Sequence, residues 1–464
     1  MKYILSLCFL FISCQSNQNS RNWTSGIDKI VLEAINNGKV AGISIGIAYG
    51  KNKPYYKGFG KADLEFDVPT PNDAIYEIGS VTKQFTAAAI LKLAEENKLS
   101  LDDDIRDYLD YNTQGNLISI KRLLDHTSGI KGYTEMPSAR PLFVQDFPRD
   151  SLVSLFEAHP FDFKTGDQMI YNNSAYFLAG LIIEKVSGKN YADYIDENFF
   201  QPIGMTNSRY CSENAVWKNR AHGYDIDSES GEMIRKGYLR HYVPYSAGSL
   251  CSTVEDLVKW NLELHKGNII SRSIYKEMIT PGKLNDGTSL RYARGIALTN
   301  VVGRQAIHHG GGINGFLSQS LYFPIEDLVI VVLANTAGPV SPGNIAEDIA
   351  IKILGTVENS TIPIDLSKTD LDRITKVYTG VARGAKVNVK IDFDENLLTY
   401  QTIPINEEKG AYTEAETMPE PIKLNYLGKG IFQDGSTNLF FKRLNNRDEL
   451  HMDMGYGYSV LKAN

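Results

Sequence analysis

Cysteine is scarce in this chain: four in 464 residues, two of them at positions 8 and 14. Only Cys211 and Cys251 lie further on, so one internal bridge at most can tie the folded part together. An excess of one charge is missing too. The net charge is −7, from 48 basic and 55 acidic residues, which gives neither nucleic acid nor an anionic membrane surface a reason to bind. Beyond the first residues no stretch approaches the ~20 apolar residues of a spanning helix. No His-x-x-x-His pair or acidic cluster accompanies the histidines, so no metal site and no cofactor is expected. What remains is ordinary globular composition, 42% apolar and 22% charged, enough to bury a large core.

The one concentrated apolar run is at the start. Lys2 supplies a positive end, residues 3–12 a short apolar region, and Ser13-Cys14 closes it, the pattern of an export signal. Phe11-Ile12-Ser13-Cys14 resembles a bacterial lipobox, with Phe11 where leucine is usual, and the resemblance implies lipid attachment at Cys14. The alternative is an ordinary signal cut nearby. Either way the expected location is the bacterial cell envelope, with residues 1–21 as signal and tether. Export permits a disulfide between Cys211 and Cys251, though two free thiols fit the sequence equally.

Residues 24–37 carry a helical apolar period, and 40–49 and 54–60 read as strands around a Gly-Lys-Asn-Lys turn. From 85 to about 303 the chain is mainly helical, including one helix over 191–199. Strands return at 317–323 and 328–334, followed by a helix at 345–354. A sheet built from both ends of a domain, with helices between, predicts two lobes, one α/β and one all-α, with a ligand cleft between them. Residues 356–368 read as a linker. From there the period is two, Val387, Val389, Ile391 and Phe393 alternating with polar residues, which predicts a small β-barrel or sandwich over 369–464. That tail holds no compact catalytic cluster; its expected role is structural, with substrate selection as the alternative.

Chemistry concentrates at Ser80 and Lys83. Three residues apart on a helix they share one face, so the amine reaches the hydroxyl. Such a serine becomes a nucleophile when a lysine of lowered pKa takes its proton. The helix start also turns backbone N–H groups toward a developing oxyanion. Ser128–Lys131, Ser273–Lys276 and Ser459–Lys462 repeat the spacing. They sit in a turn, a polar helix and an alternating strand, and only Ser80 joins an apolar approach to a long apolar helix.

Two further groups follow. Tyr171-Asn172-Asn173 precedes a helix; Tyr171 suits proton transfer near a lysine, and Asn173 suits a substrate carbonyl or contact with Lys83. A capping asparagine after a core tyrosine is the structural alternative. In His308-His309-Gly310-Gly311-Gly312, His309 and Gly311 point to one side of a strand. Glycines there admit a substrate backbone, and the Gly312 N–H offers a second oxyanion donor beside that of Ser80. Lys164-Thr165-Gly166 spells a familiar third motif but falls just before Tyr171, too early for a strand following it.

Ser80-x-x-Lys83, Tyr171-x-Asn173 and His309-x-Gly311, in that order, resemble the class C β-lactamases and related penicillin-binding serine hydrolases. Leu123-Leu124-Asp125-His126-Thr127-Ser128-Gly129-Ile130, Gly204-Met205-Thr206 and residues 248–257 add to the likeness. The resemblance covers about residues 24–355 of an expected hydrolase domain at 22–357. It implies a two-lobed β-lactamase/DD-peptidase-like fold, an antiparallel sheet flanked by helices plus an all-α lobe. It also implies acyl transfer through Ser80, with Lys83 and Tyr171 sharing proton transfer, Asn173, His309 and Gly311 at the substrate, and Ser80 and Gly312 holding the oxyanion. Histidine in place of lysine at 309 removes a fixed positive charge. That weakens the β-lactamase reading; the resemblance and the expected envelope location imply D-amino-acid-containing peptides or β-lactam-like amides as substrates, with esters as the alternative within the same chemistry. A lipid-anchored binding protein without catalysis is the alternative outside it.

Overall fold

The computed structural model describes residues 22–301, 303–356, 364–382, 385–394, 397–404, 419–435, 437–444 and 446–464. The signal, the lipobox-like run and Cys14 lie outside the described residues. Among those described, no helix is long and apolar enough to cross a membrane.

The strand Gly42–Tyr49 explains the first lobe. It lies inside a seven-stranded antiparallel sheet, whose spatial order is Ala297–Val301, Arg304–Ile313, Phe316–Phe323, Leu328–Ala334, Gly42–Tyr49, Tyr55–Asp63 and Val68–Pro69. Both of its faces are covered, hence the near-continuous apolar run. Ile43, Ile45 and Ile47 pack with Ile27 and Val31 of the helix Asn22–Gly38 and with Ile345 and Ile349 of Pro342–Leu354. On the other face a Cβ at Gly46 would press on Val254 and Val258, so glycine lets the helix Val254–Lys266 lie close.

The second lobe centres on the helix Thr82–Glu95, in which eleven of fourteen residues are buried. A helix apolar all round belongs in a core. Phe85 stacks on Trp260 at 3.8 Å between ring centroids, and Gln84 Oε1 accepts from the indole N–H at 2.9 Å. Burying such a phenylalanine contributes about 1.5–3 kcal/mol.

Two details differ from the sequence reading. The helix expected over 191–199 runs only over Tyr191–Ile195 and widens into a π-turn at Asp196–Phe200. Pro202 follows it, and its missing N–H leaves the i→i−4 ladder open. The sheet also resumes earlier than expected, at Ala297–Val301, an edge strand too exposed to carry a clear period.

Beyond the helix Lys368–Ile374, capped by Ser367, the described residues form nine strands of a nearly closed all-β sheet, with Met169–Ile170 as its tenth, around Tyr378, Val389, Leu398, Phe432, Leu439 and Leu450. It docks on the hydrolase domain through Gly457↔Ile170 and Tyr458↔Met169. Arg291 Nε donates to Asp453 Oδ2 at 2.8 Å, and Tyr458 shares a core with Met169, Leu290 and Tyr292. Cys211 and Cys251 form a disulfide across strands that pair at Arg209↔Cys251.

Candidate active site

Glycine places the nucleophile. Gly79 takes φ +51°, a conformation that costs other residues about 1–2 kcal/mol, and starts the 3₁₀ turn Gly79–Val81 that carries Ser80 into the helix. A Cβ on Gly79 would lie 2.9 Å from Gly312 N. One on Gly311 would overlap the Ile78 carbonyl and the Ser318 hydroxyl and lie 3.0 Å from Ser80 N. Only bare backbone allows this approach, which brings the N–H groups of Ser80 and Gly312 to one cleft.

The strand Arg304–Ile313 gives Gly312 its free edge. Its neighbour Ala297–Val301 pairs no further than His308, so the strand is unpaired on that side from His309 on. Gly310 N donates into the cleft at 2.7 Å, to Tyr456 Oη. Alternation turns Gly312 N–H the same way.

Lys83 is fully buried. Its Nζ lies 3.2 Å from Ser80 Oγ, 2.7 Å from Asn173 Oδ1 and 2.8 Å from the Ala247 carbonyl. Burial lowers its pKa well below the ordinary lysine value, and the Glu135 charge opposes this only in part. A neutral amine has two N–H groups and one lone pair. The N–H groups go to the two carbonyl oxygens, which leaves the lone pair for the Ser80 proton. In its neutral form Lys83 is therefore arranged to accept that proton.

Tyr171 is the complementary group. Burial raises its pKa well above the ordinary phenol value, and the Ser80 hydroxyl opposes that shift, so it stays a proton donor at neutral pH. Its Oη is buried without a completed hydrogen bond, and Lys83 Nζ sits 4.7 Å from its ring centroid. Asn173 begins the helix Asn173–Ser187, which Asn172 caps by accepting from Ala175 N. Asn173 itself is engaged at both ends, accepting from Lys83 and donating to Thr134 Oγ1 at 3.1 Å, which leaves its second N–H for another acceptor.

His309 lines the cleft as a neutral ring. Its Nε2 is 2.9 Å from Tyr292 Oη and its Nδ1 2.6 Å from the Gly310 carbonyl. Burial and the nearby Lys83 hold its pKa well below the usual value. Burial likewise holds His308 down, at about 4.

The cleft has a volume of about 270 Å³ and is lined by Ser80, Glu135, Tyr171, His309, Gly310, Gly311, Gly312 and Tyr456. Sequence reasoning missed Glu135 and Tyr456. Glu135 carries no motif; Thr134 Oγ1 donates to it at 2.9 Å, and among the described residues no ion pair engages it. Burial raises its pKa above the ordinary carboxyl value. Tyr456 corrects the expectation of a purely structural tail: a hairpin of the β domain reaches the catalytic cleft, a contact no local pattern encodes.

Two other features stay outside this chemistry. A cavity of about 420 Å³ lies against Glu77, Arg220, Lys236 and His241, where both Arg220 and Lys236 pair with the Glu77 carboxylate. Burial pushes Glu77 up, while His241 and Lys236 outweigh it and hold the carboxyl at about 2. Asp63, Glu65 and His222 approach one another closely enough for a metal, yet Arg235 already pairs with Glu65 at 2.5 Å.

A serine beside a buried lysine of lowered pKa, a protonated tyrosine and two converging backbone donors defines a serine hydrolase acting on amides. Residues 27–354 match the Beta-lactamase family, and the chain belongs to it. It is 30% identical over 347 residues to Protein flp of Staphylococcus aureus (strain N315), covering 72% of this chain and 68% of that protein. Among solved structures it resembles the octameric penicillin-binding protein homologue from Pyrococcus abyssi, with TM-score 0.64 and 24% identity over 95% of this chain and 100% of that one. The likeness therefore takes in the β domain. It also resembles the D-amino acid amidase from Ochrobactrum anthropi SV3, with TM-score 0.63 and 22% identity over 72% and 98% of the two chains.

Proposed function

We propose that the protein hydrolyses small amides of D-amino acids or D-amino-acid peptides bearing a free amino group, through an acyl-enzyme on Ser80. The observation that carries this reading is the polarity of the cleft. It offers the Glu135 carboxyl group and no lysine or arginine among its lining residues, and His309 is neutral with both nitrogens engaged. A substrate ammonium suits such a cleft, and a substrate carboxylate does not. The D preference draws on the fold shared with a D-amino acid amidase.

In this reading Lys83 takes the Ser80 proton as Oγ attacks the carbonyl, and the Ser80 and Gly312 N–H groups hold the oxyanion. Tyr171 delivers a proton to the leaving nitrogen, and the proton held on Lys83 replaces it. Water then attacks the ester, giving its proton to the same pair and releasing Ser80.

The same reading puts the chain in the bacterial cell envelope, lipid-anchored through Cys14. The lipobox-like run supports it, and so does the Cys211–Cys251 disulfide, which suits an oxidising compartment.

The test compares D-phenylalanine amide, its L enantiomer, its N-acetyl derivative, a D-amino-acid methyl ester and an N-acyl-D-Ala-D-Ala peptide, each with wild type and Ser80→Ala. Turnover of the free D-amide that disappears in the variant is the expected result. Preference for the N-acylated dipeptide, or for the ester with no amide turnover, overturns the substrate assignment. Cys14→Ser is expected to move the protein out of the membrane fraction; unchanged fractionation would refute the anchor.

A further inference from the structure

The β domain touches the cleft through one side chain. Tyr456 sits in the hairpin between Arg447–Asp453 and Gly457–Ala463. Its Oη accepts from Gly310 N at 2.7 Å and lies 3.2 Å from His308 Nδ1. The ring centroid is 5.1 Å from His309, 5.9 Å from Tyr171 and 6.0 Å from Tyr292.

The hairpin is held in register with the proton donor. Gly457 pairs with Ile170, the residue before Tyr171. Arg291 grips Asp453 through a side-chain bond of 2.8 Å and a backbone bond of 2.6 Å, and Asp453 Oδ1 accepts from Gly455 N at 3.0 Å. The tyrosine is thus a fixed wall of the cleft.

Two consequences follow for a bound substrate. An extended peptide lying along the open edge of Arg304–Ile313 would pair with Gly310 as well as Gly312, but the Gly310 N–H is already taken. The leaving nitrogen must face Tyr171, its proton donor, and Tyr456 packs beside that ring. The space beyond the scissile bond is therefore closed by a side chain from another domain.

We propose that Tyr456 determines leaving-group specificity by walling off that side of the cleft, restricting the enzyme to small leaving amines such as ammonia or a single short residue. The side assignment rests on the proposed acyl transfer with Tyr171 as donor; the size limit does not depend on the acyl group or its configuration.

The experiment uses one acyl group with leaving groups of increasing size: ammonia, methylamine, glycine and p-nitroaniline. Wild type is expected to lose kcat/KM steeply along the series, and a flat series overturns the proposal. In Tyr456→Ala the anilide-to-amide ratio of kcat/KM is expected to rise about tenfold or more. Tyr456→Phe, which keeps the ring, is expected to retain the wild-type ratio. An unchanged ratio in Tyr456→Ala, in protein that melts cooperatively and labels with fluorophosphonate at Ser80, refutes it. If amides prove not to be substrates, methyl and phenyl esters of one acyl group give the same comparison, so failure of the amide reading and failure of the wall are told apart.

Discussion

Lys83→Met separates the base from everything else at the site. The side chain keeps its bulk and loses the nitrogen 3.2 Å from Ser80 Oγ. Removing a positioned general base costs about 10²–10⁴ in rate, or about 3–5 kcal/mol of barrier. Tyr171→Phe should behave differently, because it removes a proton donor. Fluoride leaves a fluorophosphonate without needing a proton, so Tyr171→Phe is expected to label near the wild-type rate while amide turnover falls about 10²-fold or more. Lys83→Met is expected to lose both. The pH profile gives an independent check. The free amine is the active form, so with an N-acetylated amide, whose binding does not call on Glu135, wild-type kcat/KM rises through one acidic limb set by Lys83; with the Tyr171 pKa raised, no matching alkaline fall follows near pH 10. Stability carries the same signature. Unfolded lysine titrates near ~10.4 and Lys83 well below, so between those values the unfolded chain holds the extra proton. Stability then climbs with pH across that window, free of penalty above the unfolded value and fully penalised below the folded one. Lys83→Met should flatten that slope in denaturant titrations. Wild-type labelling of Lys83→Met, or loss of labelling in Tyr171→Phe with its retention in Lys83→Met, would refute the assignment.

Gly311→Ala forces a Cβ onto the Ile78 carbonyl and toward Ser80 N; it should lower kcat with little change in KM, and a thermal melt should show destabilisation of about 1–3 kcal/mol. Glu135→Gln keeps the Thr134 contact and removes the charge, so KM for a free amino-acid amide should rise about tenfold while that of its N-acetyl derivative does not, as steady-state kinetics will show. A rise for both would mean the carboxylate acts on the fold instead. Reducing Cys211–Cys251, which closes a loop of sequence separation 40, should destabilise the protein by about 3–4 kcal/mol, seen as a lower denaturation midpoint with a reductant present.

Ser80, Lys83, Tyr171 and Asn173 were legible because their spacing is local: a helical turn aligns the first pair, and a strand-to-helix turn carries the second. The two-lobed fold was legible for a similar reason, since Gly42–Tyr49 reads as a strand buried on both faces. The partners that set each group's chemistry were not. Lys83 owes its lowered pKa to burial, and no spacing announces that the Ala247 carbonyl will stand against its amine. Glu135 reaches the cleft from a 3₁₀ turn without a motif.

His309 shows where identity stops being informative. Histidine in a strand motif raises the question of its charge, and composition answers only with its ordinary pKa near neutrality. The answer here comes from burial and the nearby Lys83, which hold the ring's pKa well below its usual value against the opposing Gly310 carbonyl. A cleft that reads as a modified carboxylate receptor in sequence is therefore one with a carboxylate of its own. Its shape is likewise settled from outside the family domain, by Tyr456. The catalytic motifs point to the reaction, while the groups that line the cleft beside them, Glu135 from a 3₁₀ turn and Tyr456 from the β domain, take positions that exist only in the folded chain.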